Sequence, residues 1–138
     1  MENVLVSSAR LPAPVSTKQR WIGRALSGLV AAFLLFDGAI KLVPIAPVIE
    51  ACHRLGFPAE LARHLGVLLI GCTVLHLIPR TRLVGALLVT AYLGGATAIH
   101  VRVGDPFWFP PIVGVILWAG FCLREPRLRA LLEAPSPA

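Results

Sequence analysis

Charge is scarce in this sequence: Asp, Glu, Lys and Arg together make up 14% of its 138 residues, where soluble domains carry about 25%. A chain so poor in charge has little with which to cover a water-facing surface. Cysteine is also sparse. Cys52, Cys72 and Cys122 stand far apart, with no CxxC and no His at metal-ligand spacing, so neither a disulfide framework nor a metal centre is indicated. Cys72 and Cys122 fall within apolar runs, where a thiol acts as a small hydrophobe. The net charge of +6 does not imply nucleic-acid binding, because the basic residues form no stripe with interleaved aromatics. The first 18 residues lack the basic start, apolar run and small-residue cleavage site of a signal peptide. With Pro12, Pro14 and several hydroxyl side chains, they read as a loose tail.

What fills the chain is apolar: 57% hydrophobic residues and a mean hydropathy of +0.78. This predicts an integral membrane protein whose partner is the lipid bilayer. A hydrocarbon core about 30 Å thick needs about 20 helical residues. Four spans are predicted, at about 21–43, 60–78, 83–101 and a shorter 110–123. Pro44 and Pro47 stop the first, Pro79 closes the second, and Arg102 ends the third. Between spans 1 and 2, residues 48–56 read as a short interfacial helix ended by Gly56. Residues 124–132 read as a basic surface helix. The expected fold is all-α, a transmembrane four-helix bundle. Its membrane domain covers 19–130, between a flexible cytoplasmic tail at 1–18 and a flexible C-terminal tail at 131–138.

Nine of the thirteen Lys and Arg residues lie in the tails, in the 79–82 turn or at the span ends beside them. The positive-inside rule then puts both termini in the cytoplasm, as expected of a multi-pass protein of the inner membrane. Pairs of small residues, Gly28 with Ala32, Ala91 with Gly95 and Gly94 with Ala98, are expected where helices approach closely, and such faces permit a homo-oligomer.

Inside this apolar frame the ionisable residues stand out. Asp37 and Lys41 are four apart on the first span, hence on one helix face. Asp37 lies sixteen residues beyond Trp21, about 24 Å deep. His100 lies seventeen beyond Leu83, about 26 Å deep, so the two share a level in the outer half of the membrane. Arg102 and Asp105 follow from the same end, with Trp108 as an interfacial belt or the lid of a pocket. Tyr92 and Thr90 lie mid-span, where a hydroxyl bonds a neighbouring helix or, less commonly, a ligand. His76 and His64 read as interfacial or satisfied histidines, and Arg63 as a residue snorkelling to headgroups.

The strings FDGAIKLV (36–43), IPRTRLVGALLVTAYLGGA (78–96), HVRVGDP (100–106) and LREPRLR (123–129) resemble the DoxX-like family, over about residues 19–130. The resemblance implies a four-helix transmembrane bundle. It also implies kinship with subunits of membrane thiosulfate–quinone or terminal-oxidase systems, and with proteins tied to redox partners or to assembly. The polar positions it singles out are Asp37, Lys41, His100, Arg102 and Asp105. The paired cysteines of a thiol–disulfide membrane oxidoreductase are missing.

Three roles follow for the cluster. It binds a lipophilic molecule, with a quinone as candidate cofactor, in a redox-linked or accessory subunit; Lys41, His100, Tyr92 and Arg102 would supply donors. Alternatively it performs acid–base chemistry on a lipophilic substrate, as a hydrolase, isomerase or cyclase, with Asp37 as base, Lys41 or Arg102 holding charge and His100 as acid. In the third reading it only fixes helix register.

Overall fold

The computed structural model describes residues 16–126 and 128. Expectations for the tail before Ser16, for the last residues and for most of the basic stretch 124–132 lie outside them. Five helices follow in chain order: α1 (Thr17–Ile40), α2 (Ala46–Arg54), α3 (Ala59–Leu77), α4 (Arg82–Val103) and α5 (Phe109–Arg124). Helices α1, α3 and α4 are long and apolar enough to cross a membrane, and α5 is a shorter apolar helix. They form a ring in which α1 packs on α3 and α5, while α4 packs on α3 and α5. Short α2 leans on α3. One end of the bundle, the terminal end, gathers the start of α1, the finish of α5 and the 78–81 turn. The other, the loop end, carries α2 and the 104–108 loop.

Local chemistry sets these boundaries. A capping box opens α1: Ser16 Oγ accepts from the Gln19 amide at 3.2 Å, and Gln19 Oε1 accepts from the Ser16 amide at 3.1 Å. The predicted first span runs to Val43, but the helix stops at Ile40, because Pro44 biases Val43 away from helical angles. Pro47 does not stop a helix. It sits in the first turn of α2, where a missing N–H costs nothing.

Two connections at the loop end close alike. Gly56 (φ +76°) and Gly104 (φ +74°) take left-handed angles after α2 and α4. Behind them, Phe57 N–H donates to Cys52 O at 2.8 Å and Asp105 N–H to His100 O at 3.0 Å. Both are Schellman closures, which use glycine because a Cβ is strained there.

The core is apolar and central: Val30, Leu34, Leu69, Val89, Leu93, Val113, Leu117 and Phe121 are buried together. Large apolar side chains also cover the outside, among them Leu29, Phe36, Val67, Leu87 and Val115. Exposed hydrophobics on every long helix are an aggregation hazard in water and an ordinary surface in lipid. Trp21 near the terminal end and Trp108 at the loop end are 64% and 65% exposed, as interfacial anchors would be.

Close helix approach does not use the small pairs read from the sequence. A Cβ added at Gly28, Gly94 or Gly95 would meet nothing within 4 Å. The tight crossings are elsewhere. A Cβ at Gly23 would lie 2.9 Å from Gly120 O, one at Gly66 2.6 Å from Gly38 O, and one at Gly85 against the His76 backbone. Small size was the right signal for α1–α5, α1–α3 and α3–α4, but the pairs that face inward are spread over different helices.

Candidate functional site

The predicted polar residues fall into two groups. The first is Asp37 with Lys41, at the end of α1. Lys41 Nζ pairs with Asp37 Oδ1 and also reaches the Asp37 carbonyl at 3.4 Å, so the pair closes on itself. It does so because α1 stays helical to Ile40, keeping both residues one turn apart. Lys41 leans on α3 where Gly66 leaves room. Tyr92, half-buried on α4 against the core, lies within coulombic reach of Asp37.

The second group is built by the HVRVGDP string and the end of α2. The Gly104 closure folds Asp105 back over the last turn of α4, leaving Asp105 Oδ2 3.9 Å from His100 Nδ1. The same carboxylate pairs with Arg54 Nε at 3.2 Å. Arg102 Nη2 donates to Leu55 O at 2.9 Å, a cation placed at the negative end of the α2 dipole. Two bonds therefore tie α2 to the end of α4. Among the described residues, no hydrogen bond or ion pair links this group to Asp37 or Lys41.

His100 Nδ1 is buried and has no hydrogen-bond partner among the described residues. Asp105, but not His100, lines a pocket of about 350 Å³, together with Val101, Gly104, Pro106, Phe107 and Trp108. Phe107 and Trp108 stack at 4.1 Å to form its aromatic wall. Directly along the bundle, a groove of about 770 Å³ runs between α4 and α5. Thr90, Gly94, Thr97 and Ala98 line one side of it, and Pro110, Gly114 and Trp118 the other. Val101 at the pocket follows Ala98 in the groove by less than a turn of α4, as Pro110 follows Trp108 on the other side, so the two spaces adjoin. The groove is almost wholly apolar. The hydroxyls of Thr90 and Thr97 donate to Ala86 O and Leu93 O, and Trp118 Nε1 donates to Thr90 Oγ1 at 2.9 Å.

Sequence reasoning missed one contributor: Arg54, at the end of the short helix, is the carboxylate partner of Asp105. Of the two readings for His76, interfacial or satisfied, the second holds: it is 2% exposed, on α3 against α4 and α5. Its Nδ1 faces Arg82 O at 3.1 Å and its Nε2 faces Arg124 Nη2 at 3.4 Å. A carbonyl only accepts and a guanidinium only donates, so the imidazole is neutral with its proton on Nδ1. The depth argument that grouped Asp37 with His100, applied to the opposite ends of the spans, would have found His76 level with Arg82 and Arg124.

A ring of apolar helices with lipid-compatible outer faces and charged residues gathered toward its ends defines an integral membrane bundle. Within that class, the sequence profile of the DoxX-like family matches residues 25–120, and the chain belongs to the DoxX-like family. No curated protein and no solved structure matches the chain.

Proposed function

We propose that this membrane protein is a redox-linked accessory subunit that binds a lipophilic molecule with a polar head, of the quinone class. The head would sit in the Asp105–Trp108 pocket and the tail in the α4–α5 groove. The observation that carries this reading is the pocket whose lining carboxylate, Asp105, stands 3.9 Å from His100 Nδ1, a buried atom without a hydrogen bond among the described residues, and which lies at the end of an apolar groove. A buried donor left unmade costs about 1–3 kcal/mol, and a quinone carbonyl is an acceptor of the right kind. Phe107 and Trp108 offer ring faces against which a flat head can stack. Arg54 pairs with Asp105, which lines the pocket, and Arg102 bonds to Leu55 O, so that α2 is fixed to the end of α4; the closed Asp37–Lys41 pair braces α1. That closure favours bracing over the general-base role for Asp37, since its carboxylate is already engaged by an ammonium. Cys52, Cys72 and Cys122 are all free thiols, and the reading uses none of them.

The test is thermal unfolding of the purified chain in detergent with a short-chain benzoquinone, alongside extraction of copurifying lipids. A ligand that binds only the folded state raises the melting temperature. The rise should disappear in His100→Ala and persist in Asp37→Asn. An equal rise in wild type and His100→Ala would refute the placement. Turnover of a lipophilic ester or isomerisable substrate that vanishes in Asp37→Asn would instead establish the acid–base reading.

A further inference from the structure

At the terminal end, opposite the pocket just described, three arginines from three helices converge: Arg24 on α1, Arg82 opening α4 and Arg124 closing α5. Arg124 sits against the turn of α1 that carries Arg24, since a Cβ at Gly23 would lie 3.1 Å from the Arg124 amide nitrogen. It is held there by the neutral His76 imidazole, whose other nitrogen is fixed by the Arg82 carbonyl. Acceptors are few. The Glu125 carboxylate stands 3.7 Å from Arg82 Nη1, and His76 Nε2 takes one Arg124 N–H. The Nε–H groups of Arg82 and Arg124 are shut from solvent with no acceptor among the described residues. Among the described residues, the Arg82 and Arg124 guanidiniums, which stay charged at any ordinary pH, thus have one carboxylate, Glu125, in a partly dehydrated corner with exposed Arg24 nearby, and like charges there repel. The first turn of α4 adds to this potential. The Thr81 hydroxyl turns away to Leu75 O at 2.8 Å, leaving the amides there without a side-chain cap.

We propose that this arginine cluster binds a phosphate group, supplied by the headgroup of an anionic phospholipid lodged between α1, α4 and α5. Guanidinium forks match phosphate oxygens in pairs, and an anion relieves the repulsion that the protein's own residues leave in place. The source follows from position. Arg24 lies 5.5 Å over the ring of exposed Trp21, a residue type that marks headgroup level. Basic pockets between helix ends are where anionic headgroups are held.

The test uses the full chain in mild detergent, following the unfolding temperature as phosphatidylglycerol, phosphatidylcholine or inorganic phosphate is added. Phosphatidylglycerol should raise it saturably and phosphatidylcholine should not. The apparent affinity should fall roughly tenfold in Arg24→Gln, as expected for one lost charged contact, and further in Arg82→Gln/Arg124→Gln. It should hold in Arg80→Gln, which changes an exposed turn residue beside the cluster. Arg24→Gln keeps the test sound should the double variant misfold, because Arg24 is exposed. Inorganic phosphate that competes phosphatidylglycerol away supports the phosphate site and assigns a free-phosphate source. Equal effects of the two lipids, or equal loss in Arg80→Gln, would overturn the proposal in favour of general surface charge.

Discussion

The tightest point in the molecule is Gly85, and it supports a quantitative prediction. A Cβ there would run into the His76 amide nitrogen and lie 2.5 Å from both His76 Cα and Leu75 C. All three are backbone atoms, so no side chain can swing aside. Restoring ordinary contact at 3.4 Å or more requires α3 and α4 to part by more than an ångström near their shared turn. Forcing one methyl into a packed core costs about 1–3 kcal/mol, and more where backbone must move. We expect Gly85→Ala to lie at or above the upper bound, about 3 kcal/mol, or on the order of 10 °C in unfolding midpoint for a chain of this size. Gly94→Ala is the internal control. Its Cβ would meet nothing within 4 Å, and alanine is the better helix former by about 0.5–1 kcal/mol, so it should match or exceed wild type. The assay is thermal unfolding in detergent followed by circular dichroism, with Gly66→Ala, whose Cβ would meet Gly38 O at 2.6 Å, falling between them. If Gly85→Ala and Gly94→Ala unfold within a degree or two of each other, the reading of the α3–α4 crossing is wrong.

Other expectations follow from single contacts. Lys41→Met should cost about 1–2 kcal/mol by leaving the Asp37 carboxylate unpaired, and Lys41→Met/Asp37→Leu should recover more than half of that loss, as read by the same unfolding assay. Arg102→Ala removes the 2.9 Å bond to Leu55 O; about 1 kcal/mol should be lost, and amide exchange should quicken across 46–57 but not in α1. Trp118→Phe and Thr90→Val each break the 2.9 Å bond across the groove, so each should cost about 1 kcal/mol and the double variant little more. Ser16→Ala should cost about 1 kcal/mol, with faster amide exchange confined to the first turn of α1.

The ring of four helices was legible because bilayer thickness dictates span length, and because Pro44 and Pro79 punctuate the chain. Helix ends were less so. Lys41 was placed inside the first span, and only the constraint that Pro44 puts on Val43 explains why the helix ends before it. That Asp37 and His100 lie toward the same end of the bundle was also readable, but position along a helix carries no azimuth. It could not tell that Lys41 leans toward Gly66 while Asp105 folds back over His100 and reaches Arg54. That second relation depends on the left-handed Gly104, whose closure reverses the chain in two residues. Gly28 and Gly94 misled for the same reason: small size says that a close approach is tolerated, not that a neighbour is there.

The groove between α4 and α5 opens sideways, its rim formed by exposed Gly94, Ala98, Pro111, Val115 and Ala119. On the reading proposed above, a lipophilic occupant would arrive by diffusion within the plane of the membrane. The concentration that governs its occupancy is then a mole fraction among lipids, set by how strongly a molecule partitions into the bilayer. Lengthening a ligand's tail would sharpen apparent potency in aqueous assays without one added contact to the protein, and diluting the membrane with inert lipid would weaken it in proportion.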